Sequence, residues 1–157
     1  MSCKCASRAF HVLAFSLLLS YLSLSYTRMK IIFFDGNCPM CHSWVKRIIR
    51  ADTKKEIRFS PLEGKLAAEI LTPLLPDYMQ ENTIVFFDEG EVFIRSEAAL
   101  KILQALGFPF NLGLAGYLMP KKWRDGIYRY IANRRYKYGE RYDVCPMPPP
   151  EWRERFV

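Results

Sequence analysis

Two cysteines stand two residues apart in Cys38-Pro39-Met40-Cys41, with His42 directly after them and Asp35 three residues before. Three chemistries use such a string. A C-x-x-C pair at the start of a helix exchanges electrons with disulfides, C-x-x-C-H attaches a c-type haem, and C-x-x-C supplies half of a zinc site. The 157-residue chain has five cysteines at irregular spacing: the C-x-x-C pair, Cys3 and Cys5 near the start, and Cys145. That pattern suits a reactive site better than the disulfide framework of a small secreted domain.

The elements around the pair decide what it can do. Met29 to Phe34, apolar apart from Lys30, is a run of strand length ending at Asp35-Gly36, which reads as a strand buried on both faces and then a tight turn. From Pro39 the pattern turns helical. Trp44, Val45, Ile48 and Ile49 fall on one face and Lys46, Arg47 and Arg50 on the other, and proline suits a first helical turn. Glu56–Leu62 alternates as a second strand, and the helix after it is expected to stop at Pro73 and Pro76. Two strand runs flank Asp88-Glu89-Gly90, a hairpin signal. Ser96 is placed to cap the helix that follows, with Gly107 as its stop. A basic, aromatic-rich helical stretch comes next, and the prolines of Cys145–Trp152 argue against regular structure there. The predicted class is α/β: a thioredoxin-like βαβαββα core with a C-terminal helical extension, over residues 29–157.

A cysteine where a strand gives way to a helix meets unpaired N–H groups and about half a positive charge, which favours thiolate. Thiol pKa values there fall to about 3.5–7.5. One helical turn brings Cys41 back beneath Cys38, within disulfide reach and expected to be the more deeply buried. Cys38 is then the nucleophile toward a substrate disulfide and Cys41 the resolving thiol. Asp35 has a structural role open to it, bonding the N–H groups of the Gly36-Asn37 loop. It has a chemical one too, relaying protons to Cys41 and raising that thiol's pKa by its charge. His42 could exchange protons beside the pair or simply be a helix residue. Pairs of this kind span roughly 150 mV, or about 7 kcal/mol for a two-electron couple, so spacing leaves the direction of electron flow open.

The segment Asp35-Gly36-Asn37-Cys38-Pro39-Met40-Cys41 after a hydrophobic strand resembles the DCC family, named for its Asp and two cysteines. The similarity runs through "IRFSPLEG", "NTIVFFDEGEVFIRSEAALKIL", "RDGIYRYIANRRYKYG" and "CPMPPPEWRERFV". The resemblance implies a thiol-disulfide oxidoreductase with Asp35, Cys38 and Cys41 as signature residues. No dissociable cofactor and no metal are expected. The expected partners are a protein or small-molecule disulfide and an electron donor such as a thioredoxin or glutathione system, with the chain a monomer. Thioredoxin-class proteins usually carry a cis-proline before the third strand, facing the cysteines. Here that position reads Glu81-Asn82-Thr83, which puts peptide binding through that backbone in doubt.

Other readings make their own demands. A haem needs a second axial ligand, with Met119, Met147 or His11 as candidates, and an open pocket beside His42. Zinc would draw on Cys38, Cys41, Cys145 and His42, but only one close-spaced motif exists. The net charge of +7 concentrates at the end, where Lys121–Val157 holds ten Lys/Arg against five Asp/Glu. Tyr128, Tyr130, Tyr136 and Tyr138 interleave there with Arg129, Arg134, Arg135 and Lys137, as a nucleic-acid-stacking module would require. Without a recognised nucleic-acid motif the expected reading is aromatics packed inward, arginines solvated and no nucleic-acid partner. Residues 1–28 combine Lys4 and Arg8 with an apolar, serine-rich run and a small-x-small site at Ser23–Ser25. They read either as an export signal or as an over-extended start before Met29, giving a cytoplasmic protein in the second case and an exported one in the first.

Overall fold

The computed structural model of the chain describes residues 29–79, 83–135, 142–143 and 145–157. The readings placed on residues 1–28, Glu81, Asn82, Tyr136, Lys137 and Tyr138 lie outside the described residues. Four strands form one mixed sheet: β1 (Lys30–Phe34), β2 (Ile57–Pro61), β3 (Val85–Asp88) and β4 (Glu91–Ile94). Their order is β2-β1-β3-β4. β1 runs parallel to β2, with Ile32 opposite Phe59, and antiparallel to β3, with Ile32 opposite Phe86. The helices are α1 (Pro39–Ala51), α2 (Lys65–Leu71), α3 (Arg95–Leu106) and α4 (Lys121–Arg134). This is the thioredoxin-like arrangement that the element order predicts.

β1 is apolar without alternation because helices cover both faces of the sheet. On one side Ile32, Phe34, Phe59 and Phe86 pack against Val45, Ile48 and Ile49 of α1 and Ala98 and Ile102 of α3. On the other, Ile31, Phe33, Val85 and Phe87 meet Ala67, Ile70 and Leu71 of α2, with Tyr78. A two-residue loop joins β3 to β4, with Glu89 at φ 50° and Gly90 at φ 87°. Positive φ at both positions matches the right-handed twist of the paired strands. α2 ends at Leu71, before both prolines.

Three expectations need correction. Ser96 does not cap α3: the helix begins at Arg95 with Ile94 as its N-cap residue. Ser96 therefore sits inside the first turn, and its hydroxyl turns outward to Asp125 of α4. Trp44, expected on the core face of α1, is 51% exposed, with the Arg47 guanidinium stacked 5.0 Å from its ring centre. The Cys145–Trp152 stretch is not wholly irregular, because a 3₁₀ helix runs over Pro150–Arg155.

The extension after α3 was only partly foreseen. A second 3₁₀ helix, Phe110–Leu118, packs on α3. Its Gly113 lies so close to Leu103 that a Cβ there would come within 2.6 Å of that side chain. α4 then packs on α3, and its Tyr128 reaches the residues just before β3. The inside–outside pattern of α4 departs from expectation. Tyr130 is exposed, with the Arg134 guanidinium 4.1 Å from its ring centre, while Tyr128 is half-buried and Arg135 fully buried. Among the described residues no helix is long and apolar enough to cross a membrane.

Candidate active site

The buried carboxyl end of β1 leads into a turn closed by Cys38 N–H donating to Asp35 O at 3.3 Å. Cys38 is the N-cap residue of α1 and Pro39 opens the helix. The Cys38 sulfur takes the role that a serine or aspartate oxygen fills at an ordinary N-cap, accepting the Cys41 N–H at 3.3 Å. The neighbouring Cys41 thiol proton first, then this backbone bond and the Arg135 charge, lower the Cys38 pKa to about 6, against the opposing effects of burial and the Asp35 charge. Cys41 shifts upward, because its proton is held by Cys38, its site is buried and its neighbour is negative. The pair thus carries one proton near neutral pH, resting on Cys41.

Depth is the reverse of the sequence expectation. Cys38 is 0% exposed, whereas Cys41 is half-buried and lines a cavity between α1, α3 and α4. The turn before Cys38 is covered by chain from far away. Tyr142 donates its N–H to Asn37 O at 2.9 Å, and Cys145 lies against Gly36, where an added Cβ would come 2.9 Å from its sulfur. The C-terminal segment therefore sits on the turn that leads into Cys38.

Asp35 does what a turn residue does and more. Its Oδ1 accepts the Asn37 N–H at 2.9 Å. Its Oδ2 accepts from Arg135 Nη2 at 2.9 Å, in a pair buried on both sides. Arg135 Nη1 lies 3.8 Å from the Cys41 sulfur, so one guanidinium links the carboxylate to the dithiol. Sequence reading put Arg135 among solvated arginines. A usable signal was present, since Tyr128, Ala132 and Arg135 recur at helical spacing on one face of α4. The hydroxyl of Tyr128 accepts the Ile84 N–H at 3.0 Å and lies 3.0 Å from Thr83 Oγ1. Thr83 thus stands just before β3, where thioredoxin-class proteins carry their cis-proline.

His42 donates from Nε2 to Gly36 O at 2.7 Å and its ring packs edge-on against Phe34 and Tyr142. A nitrogen engaged in this way is not presented to a haem iron. Cys145 Sγ lies 3.9 Å from the same nitrogen, and burial, then Glu63 and Asp35, raise its thiol pKa. Cys38, Cys41 and Cys145 are all free thiols. Among the described residues no three His, Cys, Asp or Glu side chains gather as a metal site.

Residues 32–141 match the family model described as DCC1-like thiol-disulfide oxidoreductase. The chain belongs to this family. It is 30% identical over 128 residues to the "Uncharacterized protein YuxK" of Bacillus subtilis (strain 168), covering 82% of this chain and 93% of that one. It is 32% identical over 120 residues to the "DCC family protein At1g52590, chloroplastic" of Arabidopsis thaliana, covering 74% and 69%. No solved structure matches the chain. Asp35, Cys38 and Cys41 all lie within the matched residues, and the fold brings them to one place.

Proposed function

We propose that the protein catalyses thiol–disulfide exchange, with Cys38 as nucleophile and Cys41 as resolving thiol. The observation that carries this reading is the Cys38 sulfur at the head of α1, accepting the Cys41 N–H at 3.3 Å. That placement favours a thiolate at neutral pH. Cys38 attacks one sulfur of a substrate disulfide, the S–S bond breaks, and the departing thiolate takes up a proton. Cys41 then loses its proton, attacks the Cys38 sulfur and releases the second substrate thiol, leaving a Cys38–Cys41 disulfide. An external dithiol, from a thioredoxin or glutathione system, restores the reduced pair.

Because Cys38 is enclosed in this state, the Tyr142 and Cys145 segment has to move off the turn before a substrate sulfur can reach it. The protein acts as a monomer on this reading, without a cofactor or nucleic acid, and in the cytoplasm when translation starts at Met29. The test joins two measurements: titration of the Cys38 thiolate by its ultraviolet absorbance, and trapping of a mixed disulfide with Cys41→Ser. A midpoint near pH 6 and an accumulating Cys38-linked adduct are expected. An ordinary thiol midpoint together with no adduct would end the oxidoreductase reading.

A further inference from the structure

The half-buried face of Cys41 opens into a cavity of about 380 Å³. Its walls are apolar, with Ile48 from α1, Ile102, Leu103 and Leu106 from α3, and Ile131 from α4. At one end the wall turns polar, where Cys41 and Arg135 meet. An apolar chamber of this size with a few convergent polar groups is the usual form of a small-molecule site.

The neighbouring backbone argues against an extended polypeptide as occupant. In thioredoxin-class proteins a substrate strand pairs with the main chain just before the third strand. Here that stretch is engaged from within. Ile84 N–H donates to the Tyr128 hydroxyl at 3.0 Å, and Thr83 Oγ1 accepts the Arg95 N–H at 3.0 Å. A peptide strand would have to break the first of these bonds to pair with the Ile84 N–H, so that group offers no net gain.

We propose that this cavity is the substrate site of the dithiol and that its substrates are small apolar disulfides. The assignment deepens the oxidoreductase reading above and rests on it. The apolar body of the ligand fills the chamber and its disulfide lies at the Cys41–Arg135 end, where Cys38, enclosed in this state, meets it once the Tyr142 and Cys145 segment has moved off the turn. The Cys38 thiolate bonds to the nearer sulfur as the substrate S–S bond breaks. The farther sulfur leaves as a thiolate beside the Arg135 cation and receives the Cys41 proton. The Cys41 thiolate then displaces the nearer sulfur from Cys38. A cyclic disulfide thus leaves as the dithiol and the enzyme pair is oxidised to the disulfide; two electrons and the pair's one proton have passed, and the second thiolate takes its proton from water.

The probe is lipoamide, a cyclic disulfide on an apolar chain, titrated calorimetrically into the Cys38→Ser/Cys41→Ser protein, which cannot exchange. Saturable binding is expected. Ala99→Leu and Ala132→Leu, which add bulk to two different walls of the cavity, should each weaken it by about tenfold or more. Leu118→Ala, on the exposed 3₁₀ helix, should leave it unchanged. Circular dichroism confirms that each variant is folded, and either cavity variant suffices. Oxidised glutathione, polar throughout, should not saturate. No lipoamide binding, binding indifferent to the filled cavity, or equal affinity for oxidised glutathione would overturn the assignment. Lipoamide that binds but is never reduced by the wild-type protein would instead sink the exchange reading, so the two fail separately.

Discussion

At the scale of single residues, the site is a contest between one cation and one anion over a thiolate. Arg135 lowers the Cys38 pKa and Asp35 raises it, each acting after the stronger hydrogen bonds from Cys41. Removing the cation by Arg135→Met should therefore move the Cys38 midpoint up from about 6, and Asp35→Asn should move it further down. Titrating thiolate absorbance in both variants checks the two signs, and equal or reversed shifts would contradict the geometry. Arg135→Met also leaves the Asp35 carboxylate buried without this partner, at a stability cost of about 3–5 kcal/mol. The lowered pKa has a consequence for linkage. Cys38 is ionised more readily in the folded protein, so its contribution to the stability of the reduced form is present above the unfolded thiol's pKa and lost as pH falls through about 6. The redox couple reads the same proton. Below about pH 6 the midpoint potential should fall by ~59 mV per pH unit, for two electrons and two protons, and above it by ~30 mV. A break near pH 8.5 instead would mean an unperturbed Cys38.

At the scale of elements, the junction between β1 and α1 was legible because its causes are local. An unbroken apolar run, an Asp-Gly turn and a proline at the first helical position are enough to put Cys38 at a helix start. The hairpin was legible for the same reason, through Gly90. What misled the reading came from far along the chain. The buried Asp35–Arg135 pair spans 100 residues, and no local pattern separates Arg135 from the exposed Arg134 except its register with Tyr128 and Ala132. Helix geometry alone predicts Cys41 to be the less exposed cysteine, and it carries no sign of the C-terminal segment that packs on the turn before Cys38. That segment gives the element-scale prediction. In Gly36→Ala the new methyl would sit 2.9 Å from Cys145 Sγ and 3.1 Å from its Cβ, closer than carbon and sulfur tolerate, so the segment must shift. Alkylation of Cys38 by iodoacetamide, followed by peptide mass spectrometry at neutral pH, should then be several-fold faster than in the wild type. Cys38 labelling no faster than in the wild type would show that something other than the Cys145 segment encloses it.

At the scale of the whole molecule, the C-terminal residues close the sheet along its β2 edge. β2 is an edge strand, and Phe156 bridges to Phe59 in parallel while Val157 N–H donates to Phe59 O at 3.0 Å. A short added segment of this kind blunts an otherwise open edge. Arg155 fixes it in place, donating from Nε to Ile57 O at 3.0 Å and pairing with the Asp52 carboxylate, both side chains being almost wholly buried. Asp52 in turn accepts the Ile57 N–H at 2.9 Å, so one carboxylate ties together the end of α1, the start of β2 and the last turn of the chain. Arg155→Ala removes the cation and leaves that carboxylate in a dry site, which should cost about 3–5 kcal/mol. For a domain of this length the melting temperature should fall by roughly 10 °C or more. Asp52→Asn placed on top of Arg155→Ala should recover part of the loss, because a neutral amide is cheaper to bury than an unpaired charge. None of these groups acts on Cys38, whose charged neighbours are Arg135 and Asp35. At temperatures where the variant is folded, its Cys38 midpoint should therefore stay near pH 6. Arg135→Met should lose stability and shift the midpoint together, whereas Arg155→Ala should lose stability alone. A midpoint that moved in both variants would mean that the dithiol's proton balance depends on overall integrity, and the assignment of Arg135 as the residue that positions it would fail.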